Sequence, residues 1–166
     1  MANKFRIETK RLILREITVH DASAMYELNL DPLIKQYTLD DPYTSIEAAA
    51  ESWATYDHYK KHGYGRWAVV LKETNEILGW CGLKNNGNFI DIGYRLIPRF
   101  RGNGYTTEAA KACIEYGFKT LNMQEIIART IKDNTASIKV IKKLGMHYWK
   151  EETCKNHPAI YYRISK

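Results

Sequence analysis

Residues 96–109, LIPRFRGNGYTTEA, contain the side chains best suited to hold an anion. The segment leads from a predicted strand into a predicted helix through Arg99, Arg101, Gly102 and Gly104. Glycines let consecutive backbone N–H groups turn toward one ligand, the start of the helix adds unsatisfied donors, and arginines add positive charge. The segment therefore predicts a phosphate-binding loop, against the alternative of an ordinary turn with two solvated arginines.

Two familiar phosphate-binding patterns do not fit this segment. A Walker A loop needs Lys and then Ser or Thr after its last glycine, whereas Tyr105 follows Gly104 here. A dinucleotide fingerprint needs a third glycine where this sequence has Thr107. The loop is therefore not predicted to be a nucleoside triphosphate or NAD site of these kinds.

Asp91 is the candidate acid or base, because it lies in the apolar strand pattern NFIDIGYRL, where an acid is a poor strand former. Side-chain alternation places Phe89, Asp91 and Gly93 on one face and Ile90, Ile92 and Tyr94 on the other. Gly93 is expected to mark a bulge at which the strands separate. The alternative is an exposed acid of an edge strand with no part in chemistry.

The cysteines and histidines do not predict a metal or a nucleophile. Cys81 and Cys113 lie in apolar patterns typical of core cysteines, and the three cysteines form no CxxC pair. His58 and His62 are four residues apart but lack a third ligand, so a solvated helix face is expected. We predict no metal site.

Charge is unevenly distributed along the 166 residues. Residues 1–97 hold 12 Lys and Arg against 13 Asp and Glu, and residues 98–166 hold 13 against 6. The basic last part suits an anionic partner, either a phosphate-bearing small molecule or nucleic acid. Residues 31–58 have the opposite bias, with six acids against Lys35.

The hydropathy pattern predicts seven strands and four helices. Strands are expected at 11–16, 66–72, 76–84, 88–96, 124–131, 147–152 and 159–165, the second, third and fourth joined by short polar hairpins. Helices are expected at about 22–30, from a Thr44–Glu47 capping box to about His62, at about 105–121 and at about 135–144. This order predicts an α/β (α+β) fold with a mixed, mostly antiparallel sheet of about 6–7 strands flanked by helices.

The loop and four other segments resemble the GNAT N-acetyltransferases, in particular the RimJ/RimL branch. Residues 99–104 match the acyl-CoA loop R/Q-x-x-G-x-G/A of that superfamily. The segments TKRLILRE, DIGYRL, GYTTEA and DNTASIKVIKKLGM occur in the family's order within residues 9–146. The resemblance implies acetyl-CoA as cosubstrate and a single GNAT domain over residues 1–166.

The resemblance also assigns expected positions to the cosubstrate. Its pantetheine arm is expected along the strand that ends at Leu96 and Ile97. The pyrophosphate is expected on the loop amides from Arg101 to Thr106. The expected cosubstrate-binding residues of the loop are Arg99, Arg101, Gly102, Asn103, Gly104, Tyr105 and Thr106.

Acetyl transfer to an amine needs a neutral amine and a stabilised leaving thiolate. A lysine amine, with a pKa near 10.4, is largely protonated at neutral pH, so Asp91 is expected to accept a proton. The family often has Glu here, and the shorter Asp favours a water relay. The late-helix Tyr of many relatives is replaced by Ile141. The RimJ/RimL branch instead has a Ser near the start of that helix, so the resemblance makes Ser137 the candidate for the sulfur, against the alternative of a residue of an ordinary N-cap. Asn134 is expected to cap the helix and touch the cosubstrate.

We therefore expect an acetyl-CoA-dependent N-acetyltransferase that acts on a primary amine, a protein N-terminus or a small molecule, by direct attack in a ternary complex. The acid-rich residues 31–58 suggest a cationic acceptor. A catalytically degenerate acyl-CoA-binding protein and, less favoured, a nucleic-acid-binding module are the alternatives. With no apolar run for a membrane span or a secretory signal, a cytoplasmic location is expected. A homodimer stays open, because Tyr161 and Tyr162 suit a core or an interface equally.

Overall fold

A computed structural model describes residues 5–166, which form six helices and eight strands. The helices are α1 (Ala22–Asn29), α2 (Pro32–Thr38), α3 (Ile46–Ala54), α4 (His58–His62), α5 (Tyr105–Lys119) and α6 (Thr135–Lys143). The strands are β1 (Arg6–Glu8), β2 (Leu12–Glu16), β3 (Arg66–Leu71), β4 (Ile77–Asn85), β5 (Ile90–Leu96), β6 (Glu125–Ile131), β7 (His147–Cys154) and β8 (His157–Ser165). None of the helices within residues 5–166 has the length and apolar character that a membrane span requires.

All eight strands form one sheet in the order β1-β2-β3-β4-β5-β6-β8-β7. Every neighbouring pair is antiparallel except β5 and β6, which are parallel. The predicted fold class and the hairpins between β3, β4 and β5 are confirmed. The expected strand count was slightly low, because the three-residue edge strand β1 is too short to give a hydropathy pattern.

Helices cover the two faces of this sheet. On one face, α5 and α6 bury Cys113 and Ile141 against residues of β3 and β4 such as Trp67 and Leu83. On the other, α1 packs Met25 and Leu28 against β3. Tyr161 and Tyr162 are both buried within the chain. These two side chains therefore belong to the core and not to an interface.

The segment between α1 and β3 differs from its prediction. Residues 32–38, for which no helix was predicted, form α2, because Pro32 occupies its first turn and Asp31 caps it by accepting from the Leu33 amide at 3.1 Å. The helix predicted from 44 to 62 is two helices, α3 and α4. The Thr44–Glu47 capping box is wrong, since Ser45 is the N-cap and accepts from the Ala48 amide at 3.0 Å.

A tyrosine pair accounts for the break between α3 and α4. The Tyr56 hydroxyl accepts from the Arg66 amide at 3.0 Å, and the Tyr59 hydroxyl accepts from the Ile17 amide at 3.1 Å. These bonds fasten the chain to the start of β3 and the end of β2, and a straight continuation of α3 would not make both. Tertiary hydrogen bonding here overrides the local helical pattern.

His58 on α4 makes the stability of the protein dependent on pH. Its Nε2 accepts a hydrogen bond from the Asn85 amide at 3.0 Å, which requires the neutral ring. Burial, followed by the charges of His62, Arg66 and Lys84, lowers the pKa of His58 below its ordinary value. The unfolded chain therefore binds the proton more readily, so the contribution is present above about pH 6.5 and is lost as the pH falls through the folded pKa.

We predict that H58Q, which keeps an acceptor but does not titrate, removes this part of the pH dependence. The free energy of unfolding should fall less between pH 7.5 and about pH 5.5 than in the wild type, by at most the worth of one hydrogen bond, about 1 kcal/mol. Urea denaturation at the two pH values measures this. H20Q, at an exposed histidine, is the matched control and should behave as the wild type.

Candidate active site

A cleft opens where β5 and β6 diverge. The two strands share one parallel partner pair, Asp91 with Ile127, and have no further paired residues beyond it. A cavity of about 570 Å³ occupies this gap. Of the predicted site residues, Asp91, Asn134 and Ser137 line it, whereas the loop residues 96–106 lie outside it. The sheet thus provides an opening that connects its two faces.

Asp91 is buried and bound to Arg66. Its Oδ1 lies 2.6 Å from Arg66 Nη2, and the two side chains are 7% and 13% exposed. Arg66 Nη1 also donates to the Gly82 carbonyl at 2.6 Å. The alternative of an exposed acid on an edge strand is therefore wrong in its placement, because β5 lies between β4 and β6 and Asp91 is buried.

Gly93 does not mark a bulge. The register of β4 and β5 runs unbroken through the pair Gly82 and Gly93. A Cβ at Gly93 would lie 2.7 Å from the guanidinium carbon of Arg66, so glycine is needed to give that side chain room. The opening comes from the separation of β5 from β6, and Gly93 serves the Arg66–Asp91 ion pair.

A hydroxyl pair lines the cavity on the opposite face of β5. The Tyr94 hydroxyl lies 3.1 Å from Ser137 Oγ and donates to the Ser137 carbonyl at 3.2 Å. Burial raises the pKa of Tyr94 to about 12, although the bond to Ser137 lowers it, so the phenol stays protonated at neutral pH. Asn134 Oδ1 accepts from the Ser137 amide at 3.2 Å, which confirms the predicted cap of α6.

Tyr94 is a residue that the sequence interpretation placed on a strand face but did not assign to the site. Ile141 is buried and lines the cavity, so α6 supplies no hydroxyl at that position. The phenol is supplied by β5 instead. Two features of the sequence could have indicated Tyr94. Side-chain alternation sets it on the face opposite Asp91, and it lies only a few residues before the glycine-containing loop.

The loop before α5 has the backbone shape of an anion site. Gly102 has φ +82° and Gly104 has φ +78°, values that favour glycine. Gly104 is the N-cap of α5, and no side chain among the described residues caps this helix. The first-turn N–H groups, which include those of Tyr105 and Thr106, are therefore oriented to bind phosphate oxygens. Asn103 is exposed between the two glycines.

The two loop arginines have acidic partners. Arg99 pairs with Glu27 of α1, and Arg101 lies 2.6 Å from Asp31, which is 7% exposed. Arg101 Nε also donates to the Leu96 carbonyl at 3.0 Å, and the Ile97 amide donates to Leu78. These bonds fix the end of β5 and the loop to each other. The positive φ glycines and the helix start, rather than free guanidinium groups, then offer the anion donors.

A further clamp holds the start of α5 to β2. Glu108 accepts from the Thr9 hydroxyl at 2.6 Å, the Arg11 amide at 2.9 Å and Arg11 Nε at 2.6 Å. Arg11 Nη1 donates to the Asn103 carbonyl at 3.0 Å, and its guanidinium lies 4.4 Å from the centre of the Tyr105 ring. The sequence analysis used the segment TKRLILRE only for the family resemblance and gave Thr9 and Arg11 no role. Thr9 and Arg11 position the loop.

The acids of residues 31–58 do not gather at the cleft. Asp40 is the one that lines the cavity, and Asp31, Asp41 and Asp57 pair with Arg101, Lys35 and Lys61 respectively. Several basic residues of the last part of the chain are likewise paired with acids. The local charge counts therefore do not translate into an acidic acceptor pocket or a basic stripe.

Cys81, Cys113 and His58 make contacts inside the fold. Cys81 and Cys113 are buried with their sulfurs 3.7 Å apart, and burial raises the pKa of Cys113 above its ordinary value. The solvated helix face expected for His58 and His62 is wrong for His58, which is half-buried and accepts from the Asn85 amide, whereas His62 is exposed. Within residues 5–166, no group of three or more His, Cys, Asp and Glu side chains has the arrangement of a metal site.

Comparisons with known proteins give the family. The acetyltransferase (GNAT) domain model matches residues 11–147. The chain is 33% identical over 142 residues to the uncharacterized N-acetyltransferase p20 of Bacillus licheniformis, covering 82% of this chain and 79% of that protein.

Solved structures agree in fold. A GNAT-family acetyltransferase from Bacillus anthracis has a TM-score of 0.84 and 27% identity, covering 97% of this chain and 98% of that one. RimL, a ribosomal L7/L12 alpha-N-protein acetyltransferase in complex with coenzyme A, has a TM-score of 0.82 and 20% identity, covering 97% and 98%. The expected family is confirmed: this chain belongs to the acetyltransferases of the GNAT family.

Proposed function

We propose that the protein transfers an acetyl group from acetyl-CoA to a primary amine, with both substrates bound at once. The observation that carries the proposal is the cleft between β5 and β6, which has the Tyr94–Ser137 hydroxyls on one side and the Asp91–Arg66 pair on the other. Acetyl-CoA supplies the acetyl thioester. The glycine loop at the start of α5 suits its pyrophosphate, and the opening in the sheet suits its narrow pantetheine arm.

The residues of the chain have distinct parts in this transfer. In the overall reaction the acetyl C–S bond breaks, a C–N bond forms, the amine loses a proton and the thiolate gains one. Ser137 provides a hydroxyl proton on the side where the sulfur would lie, and the Tyr94 hydroxyl, 3.1 Å from Ser137 Oγ, positions it. Asp91 lines the cavity on the acceptor side and is the candidate to receive the amine's proton through water, its Oδ1 being held by Arg66.

The remaining predicted contacts belong to the same proposal. Leu96 and Ile97 border the arm at the end of β5, and Arg99, Arg101 and Asn103 contribute backbone groups of the loop. Asn134 contributes through its cap of α6. No step requires a metal in this scheme. The acceptor is a primary amine, either a protein N-terminus or a small molecule.

Acetyl-CoA is expected to stabilise the protein against heat. At a concentration one hundred times its dissociation constant, a ligand that binds the folded state adds about 2.7 kcal/mol, which raises Tm by roughly 5 to 11 °C for a domain of this length. Thermal unfolding is measured with acetyl-CoA, ATP, NAD and a short DNA duplex. A shift with DNA and none with acetyl-CoA would contradict the proposal and favour a nucleic-acid-binding role.

Two matched glycine variants test whether the rise in Tm with acetyl-CoA depends on the glycine loop. Gly102 and Gly145 both have positive φ, +82° and +78°, and at both an added Cβ meets no atom within 4 Å. G102A and G145A should therefore carry similar backbone strain, about 1 kcal/mol. G102A alone should reduce the acetyl-CoA shift, because its methyl group enters the space where phosphate would bind. If acetyl-CoA raises Tm equally in both variants, the phosphate does not bind at Gly102. Release of free thiol on addition of amines then tests transfer itself.

A further inference from the structure

The side chains that line the cleft carry a net positive charge. Five cationic side chains line it, Arg66, Lys84, Arg95, Arg129 and Lys155, against the two carboxylates Asp40 and Asp91. An excess of three positive charges in a cavity of about 570 Å³ attracts anions and repels cations.

Protein carboxylates already bind three of the five cations. Arg66 pairs with Asp91, while Arg95 and Lys155 share Asp40. Lys84 and Arg129 are both exposed, and among residues 5–166 neither has a carboxylate within ion-pair distance. The guanidinium of Arg129 lies 5.7 Å from the centre of the Phe89 ring. These two side chains are the ones left to bind a ligand.

Strand register places both on the acceptor face of the sheet. Lys84 is the cross-strand partner of Asp91, and Asp91 is the partner of Ile127. Partners in register point to the same face, and so does Arg129, two residues beyond Ile127 and about 7 Å along the strand. Lys84 and Arg129 therefore flank Asp91 from two neighbouring strands, on the face opposite Tyr94 and Ser137.

We propose that the acceptor is a small primary amine that carries an anionic oxygen group, a carboxylate or a phosphate, which Arg129 and Lys84 bind. The proposal rests on the proposed acetyl transfer and specifies its substrate class. A cavity of this volume is typical of small-molecule sites. Arginine and lysine are the usual partners of both oxygen groups, and a guanidinium can bind either one with two parallel hydrogen bonds. A polyamine would meet uncompensated positive charge here, contrary to the cationic acceptor that the sequence suggested.

Pairs of amines that differ in an anionic group test the proposed acceptor class. Thiol release from acetyl-CoA is measured with the common amino acids and their carboxamides, with phosphoethanolamine and ethanolamine, and with spermidine. The anionic member of a pair should have at least a tenfold higher kcat/KM, and the two sets separate a carboxylate from a phosphate preference. If neutral amines or spermidine react better, this inference is overturned while acetyl transfer stands. If no amine in any set reacts, the proposed function fails with it.

Substitution of the two cations tests the residues. R129Q and K84Q should each raise KM for the preferred anionic amine about tenfold, since a charge-assisted hydrogen bond is lost. KM for the neutral counterpart and for acetyl-CoA should stay as in the wild type. K119Q, at an exposed lysine of α5 outside the cavity, is the matched control. Equal effects on the anionic and neutral amines, or none, would overturn the assignment, and thermal unfolding verifies that each variant is folded.

Discussion

Replacing Asp91 by alanine is expected to lower the free energy of unfolding by about 3 kcal/mol, because it leaves the guanidinium of Arg66 buried without a carboxylate. For a domain of this length the loss corresponds to a fall in Tm of roughly 6 to 12 °C. Urea denaturation and thermal unfolding measure it. The expected loss is large because both side chains are buried, with Arg66 only 13% exposed and Asp91 7% exposed.

Two further variants separate this effect from ordinary charge removal. D41A breaks the ion pair with Lys35, whose side chains are 86% and 65% exposed, and should cost less than about 1 kcal/mol. The double variant R66M/D91L replaces the buried pair by apolar side chains. It should be less destabilised than the sum of R66M and D91L. If D91A keeps wild-type stability but loses turnover, Asp91 acts on the substrate and not through Arg66.

The same pair shows where sequence reasoning reached its limit. Alternation along β5 placed Asp91 on one face and Tyr94 on the other, and both face assignments agree with the structure. The partner of Asp91 was not predictable, because Arg66 is 25 residues away and lies across β4. The glycine at position 93 was interpreted as a bulge. In the structure the Arg66 guanidinium occupies the space that a side chain at position 93 would need.

Several features that depend on local contacts were predicted correctly, although the Thr44–Glu47 capping box was not. The loop glycines, the Asn134 cap and the hairpins all depend on neighbours within a few residues, and all have the expected backbone form. The charge of the acceptor site was not predictable in this way. Acids that are close in sequence bind different partners, while Lys84 and Arg129 share one face of the sheet only because β5 pairs with both of their strands.

Removal of the Ser137 hydroxyl is expected to lower kcat about one hundredfold while leaving KM for acetyl-CoA nearly unchanged. Proton donation to a leaving group contributes typically 10² to 10⁴ in rate, and the expected loss lies at the lower end of this range. S137A tests this with the preferred amine. Because Asn134 caps α6 through the Ser137 amide and not its hydroxyl, S137A keeps the cap and should remain folded.

Tyr94 is expected to act through Ser137, as a positioning residue. Y94F removes the bond between the two hydroxyls and should lower kcat about tenfold, less than S137A, and S137A/Y94F should be no slower than S137A alone. Y116F is the matched control, since Tyr116 lies outside the cavity. Additive losses in the double variant would show that Tyr94 contacts the reacting atoms itself.

The pH profile gives an independent measurement of the same arrangement. The pKa of Tyr94 is raised to about 12 by burial, so the phenol keeps its proton far into the alkaline range. Its deprotonation would remove the donor, so the wild-type kcat should show no alkaline decline below about pH 10. A decline with a midpoint near pH 9 that disappears in Y94F would contradict the buried, protonated phenol. A decline that persists in Y94F would come from another group, and the hydroxyl pair would keep its proposed part in protonating the departing sulfur.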